Sequence, residues 1–153
     1  MKESRDLVPG ERELDVGSAG SLEEMGRRGI TMFDIMQISA KNDLVAREWV
    51  DGFRRSFEAA DKILNRRKVG TMNDATVLTY LDLLSAEPDT LVAKKYDQGK
   101  ALYVQGLAID VLERRMTLDE LSRRLFIENI NPGSTADIVI AGLFIALLNG
   151  MKV

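Results

Sequence analysis

The run 138–148 reads Ile-Val-Ile-Ala-Gly-Leu-Phe-Ile-Ala-Leu-Leu, with no polar side chain in three turns of helix. A surface helix keeps one polar face, so a helix apolar on nearly every side must be enclosed by other elements. The chain must therefore build its fold around this segment. Directly before it come Asn131, Pro132, Gly133, Ser134, Thr135, Ala136 and Asp137. A Pro-Gly turn thus delivers two hydroxyls, a carboxylate and the unpaired N–H groups of a helix start to the wall of a core. Polar groups there cost free energy unless they cap the helix or bind something. On the capping reading, Ser134 is the N-cap and Asp137 completes a weak capping box. On the binding reading, the helix start holds a phosphate, directly or through a cation bridged by Asp137.

A chain of 153 residues with ordinary apolar and charged fractions fits one domain with a real core. Lys and Arg are scattered and the net charge is -3, which argues against a nucleic-acid surface. Without Cys or His, any chemistry falls to carboxylates, Lys, Arg and hydroxyls. The apolar run is shorter than the roughly 20 residues a bilayer span needs. The N-terminus carries no apolar signal region. A soluble, cytoplasmic protein with no membrane contact is expected.

Residues 1–30 are polar and rich in Gly, and are expected to form an irregular or partly disordered arm. Beyond them the pattern predicts an all-α bundle of about five helices over 31–153, with the C-terminal helix central and buried. A Thr31–Asp34 box opens a long helix over 31–67. A second helix starts at Thr71 or Asn73 and ends at Ala86, before Pro88. A third runs over 89–115 with a bend at Gly99. Thr117 and Glu120 box a fourth, over 117–128. No segment alternates with the period of a strand. If 31–67 is one helix at about 100° per residue, then Met32, Met36, Ser39, Ala46, Val50, Phe53 and Phe57 lie within about 80° of Asp43. Asp43 then faces the core with Arg47 at its edge, either as an i,i+4 ion pair or as a site carboxylate. Asp61 shares the phase at a frayed end. Asp89, Lys94 and Lys95 form the third polar cluster, readable as an N-cap with solvated cations. Taken together, acids and cations on three helices suit a phosphorylated ligand bound through Mg²⁺. No P-loop or Rossmann fingerprint is present.

These clusters also carry a family resemblance. The segment Asp43-Leu44-Val45-Ala46-Arg47-Glu48-Trp49 with Gly52-Phe53, the segment Pro88-Asp89-Thr90-Leu91-Val92-Ala93-Lys94-Lys95, and the segment from Asn131 to Asp137 resemble, in order and spacing, three motifs of the triphosphoribosyl-dephospho-CoA synthase family. The likeness covers about 15–148 and corresponds to the C-terminal half of an all-helical protein roughly twice as long. It implies a transferase that joins ATP to dephospho-CoA with release of adenine. It also implies Asp43, Asp89 and Asp137 as catalytic or Mg²⁺-holding acids, and Arg47, Lys94, Lys95, Asn131, Gly133, Ser134 and Thr135 as substrate- or phosphate-binding groups. A separate N-terminal-half chain, or self-association, would complete the site, and the chain would be inactive alone. Two departures stand out. Asn42 replaces the Arg usual before the first motif. Lys94 stands where the family has Arg, without the planar fork that grips phosphate bidentately. The family's K-P-G-x-V segment has no counterpart. The alternatives are a helical nucleotide- or phosphate-binding protein with another transfer reaction, and a non-catalytic scaffold or remnant.

Overall fold

The structure, a computed structural model, describes residues 21–152. They are helical throughout, with no strand among them: α1 (Ser21–Arg28), α2 (Met32–Ser39), α3 (Leu44–Val50), α4 (Arg54–Arg67), α5 (Met72–Ala86), α6 (Thr90–Lys95), α7 (Gln98–Leu112), α8 (Leu118–Ile127) and α9 (Gly133–Leu148). The all-α expectation holds. Of the arm expected over 1–30, residues 1–20 lie outside the described residues, and Ser21–Arg28 form a helix rather than irregular chain. The chain divides into two compact units, Met1–Ile35 and Met36–Val153. In the first, Thr31 and Asp34 make the expected reciprocal box, Thr31 N donating to Asp34 Oδ2 (2.8 Å) and Asp34 N to Thr31 Oγ1 (3.2 Å). The second holds the core and every motif discussed above.

The single helix expected over 31–67 is instead three, α2, α3 and α4. Asp43 breaks it first, adopting extended backbone and accepting from Ala46 N at 3.0 Å as the N-cap of α3. Gly52 and Phe53 break it again with φ of 67° and 60°, in the left-handed region. The common helical phase through Asp43 therefore does not exist. Phe53 and Phe57, expected toward the core, are exposed. The segment over 89–115 likewise breaks at Tyr96, ahead of the bend expected at Gly99, and Asp97 caps α7 by accepting from Lys100 N. Thr71 starts α5, in a reciprocal box with Asp74, and Thr117 starts α8 by accepting from Glu120 N, whereas the Glu120 carboxylate turns to Arg124 and leaves the expected box half-made.

Two apolar clusters form the core. Leu81 and Leu84 of α5 pack with Val92 of α6, Val104 and Leu107 of α7, and Leu121 of α8. Ala60 and Ile63 of α4 pack with Ala75 of α5 and with Val139 and Ala146 of α9. Tyr80 of α5 lies against both. α9 contacts α3, α4, α5 and α6, so it is central in connectivity. It is not enclosed, however. Ile138 is buried as expected, but Leu143 is half-buried, Leu147 is exposed and Phe144 is 61% exposed. The reason is the buried edge, which is built of small residues. A Cβ on Gly142 would come within 2.6 Å of Ala59 Cβ and 3.0 Å of Ser56 O. α4 and α9 thus approach backbone to backbone along one face, and the bulky side chains turn outward. No helix among the described residues is long and apolar enough to cross a membrane.

Helix propensity alone would favour Gly142→Ala by about 1 kcal/mol. Against the backbone of α4 it should instead destabilise by about 1–3 kcal/mol in denaturant unfolding. Phe144→Ala should change stability by about 0.5 kcal/mol or less in the same assay, in line with an exposed side chain. A neutral Gly142→Ala with a costly Phe144→Ala would reverse the two faces of α9.

α4 and α5 are also joined by charge, Lys62 Nζ and Arg66 NH2 both reaching Asp82 Oδ2 at 2.8 and 2.6 Å. Burial by itself would raise the Asp82 carboxyl, but hydrogen bonds from Lys62 and Arg66 outweigh it and hold it below the usual aspartate range. A depressed folded-state value stabilises above the unfolded pKa of about 3.9, and that contribution is lost as pH falls through the folded value. Asp82→Asn should therefore melt below the parent protein at neutral pH. The gap should close as the solution is acidified past about pH 4, as followed by circular dichroism.

Candidate functional site

The three motif segments fold as three helix starts that meet. α3, α6 and α9 each begin with an acid or hydroxyl at or near the N-terminus, the local pattern that satisfies orphan N–H groups. Asp89 is 0% exposed and holds the junction. Its Oδ1 accepts from Leu91 N (2.9 Å) and Val92 N (3.1 Å), capping its own helix α6. Its Oδ2 accepts from Thr135 N (2.7 Å) and Thr135 Oγ1 (2.8 Å), across 46 positions of sequence, in the first turn of α9. One carboxylate thus caps two helices, and the positive ends of both favour its charge. Beside it, Leu44 N of α3 donates to Thr90 Oγ1 (3.0 Å), and Thr90 Oγ1 bonds Ser134 Oγ (3.1 Å). Burial, with the Asp89 charge second, pushes the Tyr80 hydroxyl far above the ordinary tyrosine range, so Tyr80 stays neutral next to this acid.

Several expected roles change. Pro132, not Ser134, occupies the N-cap of α9, and no side chain caps there locally. Ser134 lies inside the helix with its hydroxyl on Thr90, and Asp89 does the capping from another helix. Gly133 allows that approach, since a Cβ there would fall 2.6 Å from Leu91 Cδ2. Arg47 does not pair with Asp43. Its Nε donates to Ala40 O and its NH1 to Glu87 Oε1 (2.7 Å), and Glu87 also takes Arg55. Lys94 is exposed and makes no hydrogen bond or ion pair with a described residue, and Asn131 is exposed. Lys95 reaches Asn129 O (3.5 Å) and stands 5.3 Å from the Tyr96 ring centroid.

Asp137, one turn into α9, is exposed and unpartnered among the described residues. It borders a cleft that Glu48 and Trp49 of α3 line from the other side. Asp43, Asp89 and Asp137 do not form a common cation cage: no group of three or more acids among the described residues could hold a metal ion. The physical reason is that Asp89 has both oxygens engaged by helix N-termini, and Asp43 has one. A carboxylate the sequence reading passed over is equally committed. Glu48 is buried and accepts from Arg55 N (3.2 Å), Ser56 N (2.8 Å) and Ser56 Oγ (2.7 Å), capping α4, whose own N-cap residue Phe53 offers no polar side chain. Its spacing ahead of a Gly-containing break was the available signal.

Two comparisons bear on this arrangement. The family model described as ATP:dephospho-CoA triphosphoribosyl transferase matches residues 2–153. The chain belongs to this family. It is also similar to the crystal structure of an Archaeoglobus fulgidus protein assigned as a triphosphoribosyl-dephospho-CoA synthase. That match has 32% identity and a TM-score of 0.72, and covers 85% of this chain and 57% of the other. The chain therefore spans less than two thirds of the length of that solved relative. No curated protein matches it. The family resemblance read from the motifs thus stands, and all three of those motifs belong to the junction described above.

The geometry separates holding from exposed acids. Asp89→Ala strands two first-turn N–H groups of α6 and one of α9, and should cost about 2–4 kcal/mol in unfolding free energy. Asp137→Asn should leave stability within about 0.5 kcal/mol of the parent. Equal losses for the two would place Asp137 in the same structural role.

Proposed function

We propose that this chain takes part in transfer of the triphosphoribosyl group of ATP to dephospho-CoA, with adenine released. The observation that carries the reading is the direct bonding of the three motif segments, Leu44 to Thr90 to Ser134 and Asp89 to Thr135, beside the unpartnered carboxylate of Asp137. In this reaction the 2′-hydroxyl of dephospho-CoA forms a bond to the anomeric carbon of the ATP ribose while the bond from that carbon to adenine breaks. The hydroxyl proton goes to a base, and the departing adenine takes up a proton. The positive charge at the ribose in between is best met by a carboxylate, as in glycoside cleavage. Asp137 suits that work or the base, and Asp43 keeps an oxygen free for the other. Asp89 acts by positioning, with Thr135, Ser134 and Gly133 fixed around it. Lys94, Lys95 and Arg47, with Asn131, offer cations and donors to the phosphates. The described residues do not fit a protein-held Mg²⁺ of three acids, and no step is assigned to one; a cation would enter with the triphosphate.

The partner part of the reading is supported by α9. Ile140, Phe144, Leu147 and Leu148 recur at helical spacing and are all exposed, an apolar row larger than single scattered residues. Such a row suits packing against another chain that carries the remaining family motifs, or against a second copy. A cytoplasmic setting accords with the nucleotide substrates.

The test is adenine release, measured by chromatography, from ATP with dephospho-CoA, using this chain with and without a co-expressed K-P-G-x-V-bearing chain. Activity should require both substrates. Asp137→Asn should reduce turnover by about 10²-fold or more while the melting temperature holds, the scale of a positioned acid–base group. Full turnover in Asp137→Asn would remove that residue from the chemistry. Adenine release from ATP without dephospho-CoA would point to a different acceptor.

A further inference from the structure

The cleft beside Asp137 has a composition that the positioning of phosphates does not explain. One wall is aromatic. Trp49 of α3 and Phe53 at the start of α4 stand with ring centroids 5.5 Å apart, tilted at 55°. Trp49 is 49% exposed and Phe53 38% exposed. The facing wall is Asp137, Ile138 and Ala141 of α9, and the notch between them is shallow, about 60 Å³. The lining is almost wholly apolar: the Glu48 carboxylate is spent on the α4 start, and the exposed carboxylate of Asp137 stands in water at the rim. Phe53 is held at φ 60°, a conformation that Gly or Asn adopts far more readily than a bulky aromatic. Stability alone would select a small residue there. The strain keeps an aromatic ring at the cleft mouth, and strain of this kind concentrates at ligand sites.

We infer that this cleft is a subsite for a purine ring, which stacks on Trp49 and Phe53 while Asp137 accepts a hydrogen bond from the ring's amino group or an adjoining ribose hydroxyl. The inference rests on the proposed transfer reaction, whose two substrates both carry adenine. The notch is far smaller than the roughly 300–1,000 Å³ of small-molecule pockets, so it takes the edge of a flat ring at its open mouth and not a whole nucleotide. Its apolar walls exclude the phosphates, which stay in water outside it. An acceptor-only carboxylate pairs with amino and hydroxyl donors and repels phosphate.

Trp49 is the one tryptophan of the chain, so its emission reports on the cleft directly. Adenosine, ATP and dephospho-CoA should each quench it saturably, while tripolyphosphate and ribose 5-phosphate should not. A response to only one of ATP and dephospho-CoA would assign the subsite to that substrate. Phe53→Gly relieves the backbone strain, so it should fold and melt at or above the parent temperature, yet bind adenosine about tenfold more weakly, the scale of one lost base–aromatic stack. Asp137→Asn should weaken adenosine binding and leave the melting temperature unchanged. Calorimetric binding of ATP with unmoved Trp49 emission, and with Phe53→Gly binding as the parent does, would overturn the subsite and leave the transferase reading intact. Binding of tripolyphosphate but not adenosine would do the same. A blue shift that follows protein concentration rather than nucleotide would make the face an interface between copies and likewise overturn it. Adenosine quenching that Phe53→Gly weakens, without adenine release under any pairing of substrates, would uphold the subsite and refute the reaction. Absence of all nucleotide binding would refute both.

Discussion

The carboxylate of Asp89 is the contact on which the arrangement of the second unit turns. It has no exposed surface and no cationic partner among the described residues, a combination that would be prohibitive for an isolated charge. Four hydrogen bonds from two helix starts offset that cost, three of them from backbone N–H groups that would otherwise be orphans. The bond pattern also fixes geometry. Thr135 must lie within reach of α6, so the start of α9 is pinned to the start of α6, and Thr90 is left to bridge Ser134 and Leu44 of α3. Three segments far apart in sequence are thereby brought to one place by a group whose role is attachment.

Glu48 repeats the device at lower reach. It caps α4 from α3 across the left-handed turn at Gly52 and Phe53, and the turn carries the chain from one helix to the next without a polar N-cap of its own. Two buried acids therefore serve as helix caps in trans, and the exposed Asp137 caps nothing. That division follows from desolvation. A carboxylate that satisfies helix N-termini in the interior has no capacity left for a substrate, whereas one in water keeps both oxygens available.

α9 shows how composition and placement part ways. Its outward residues are as apolar as its inward ones, and hydropathy cannot rank the two faces. The decision is steric. Gly142 lies at the α4 crossing because α4 presents Ala59 and backbone there at van der Waals range, and helices pack closest where small residues meet. The larger residues, Ile140, Phe144 and Leu148, are turned to the other side. The result is an exposed apolar row on α9, where scattered single residues would be usual.

Much of the local structure was legible in the sequence because it depends on residues three apart. Thr31, Thr71 and Thr117 start helices where their hydroxyls meet the N–H group three residues on, and the absence of strand alternation determined the all-α class. The three motif segments were legible too, as polar clusters at helix starts. What sequence periodicity missed were the breaks at Asp43 and at Gly52–Phe53: the apolar spacing runs on through both, and only the extended and left-handed backbones there end the helices. The roles of the acids were equally hidden. Asp43, Asp89 and Asp137 look alike as residue types at helix starts, and which of them is buried, half-engaged or free depends on neighbours up to 46 positions away. Chain-local hydrogen bonding and composition determined the elements and their class. Only tertiary packing decided which carboxylate holds the fold together and which stays open to solvent, because burial and long-range hydrogen bonds, not residue type, set the availability of a charge.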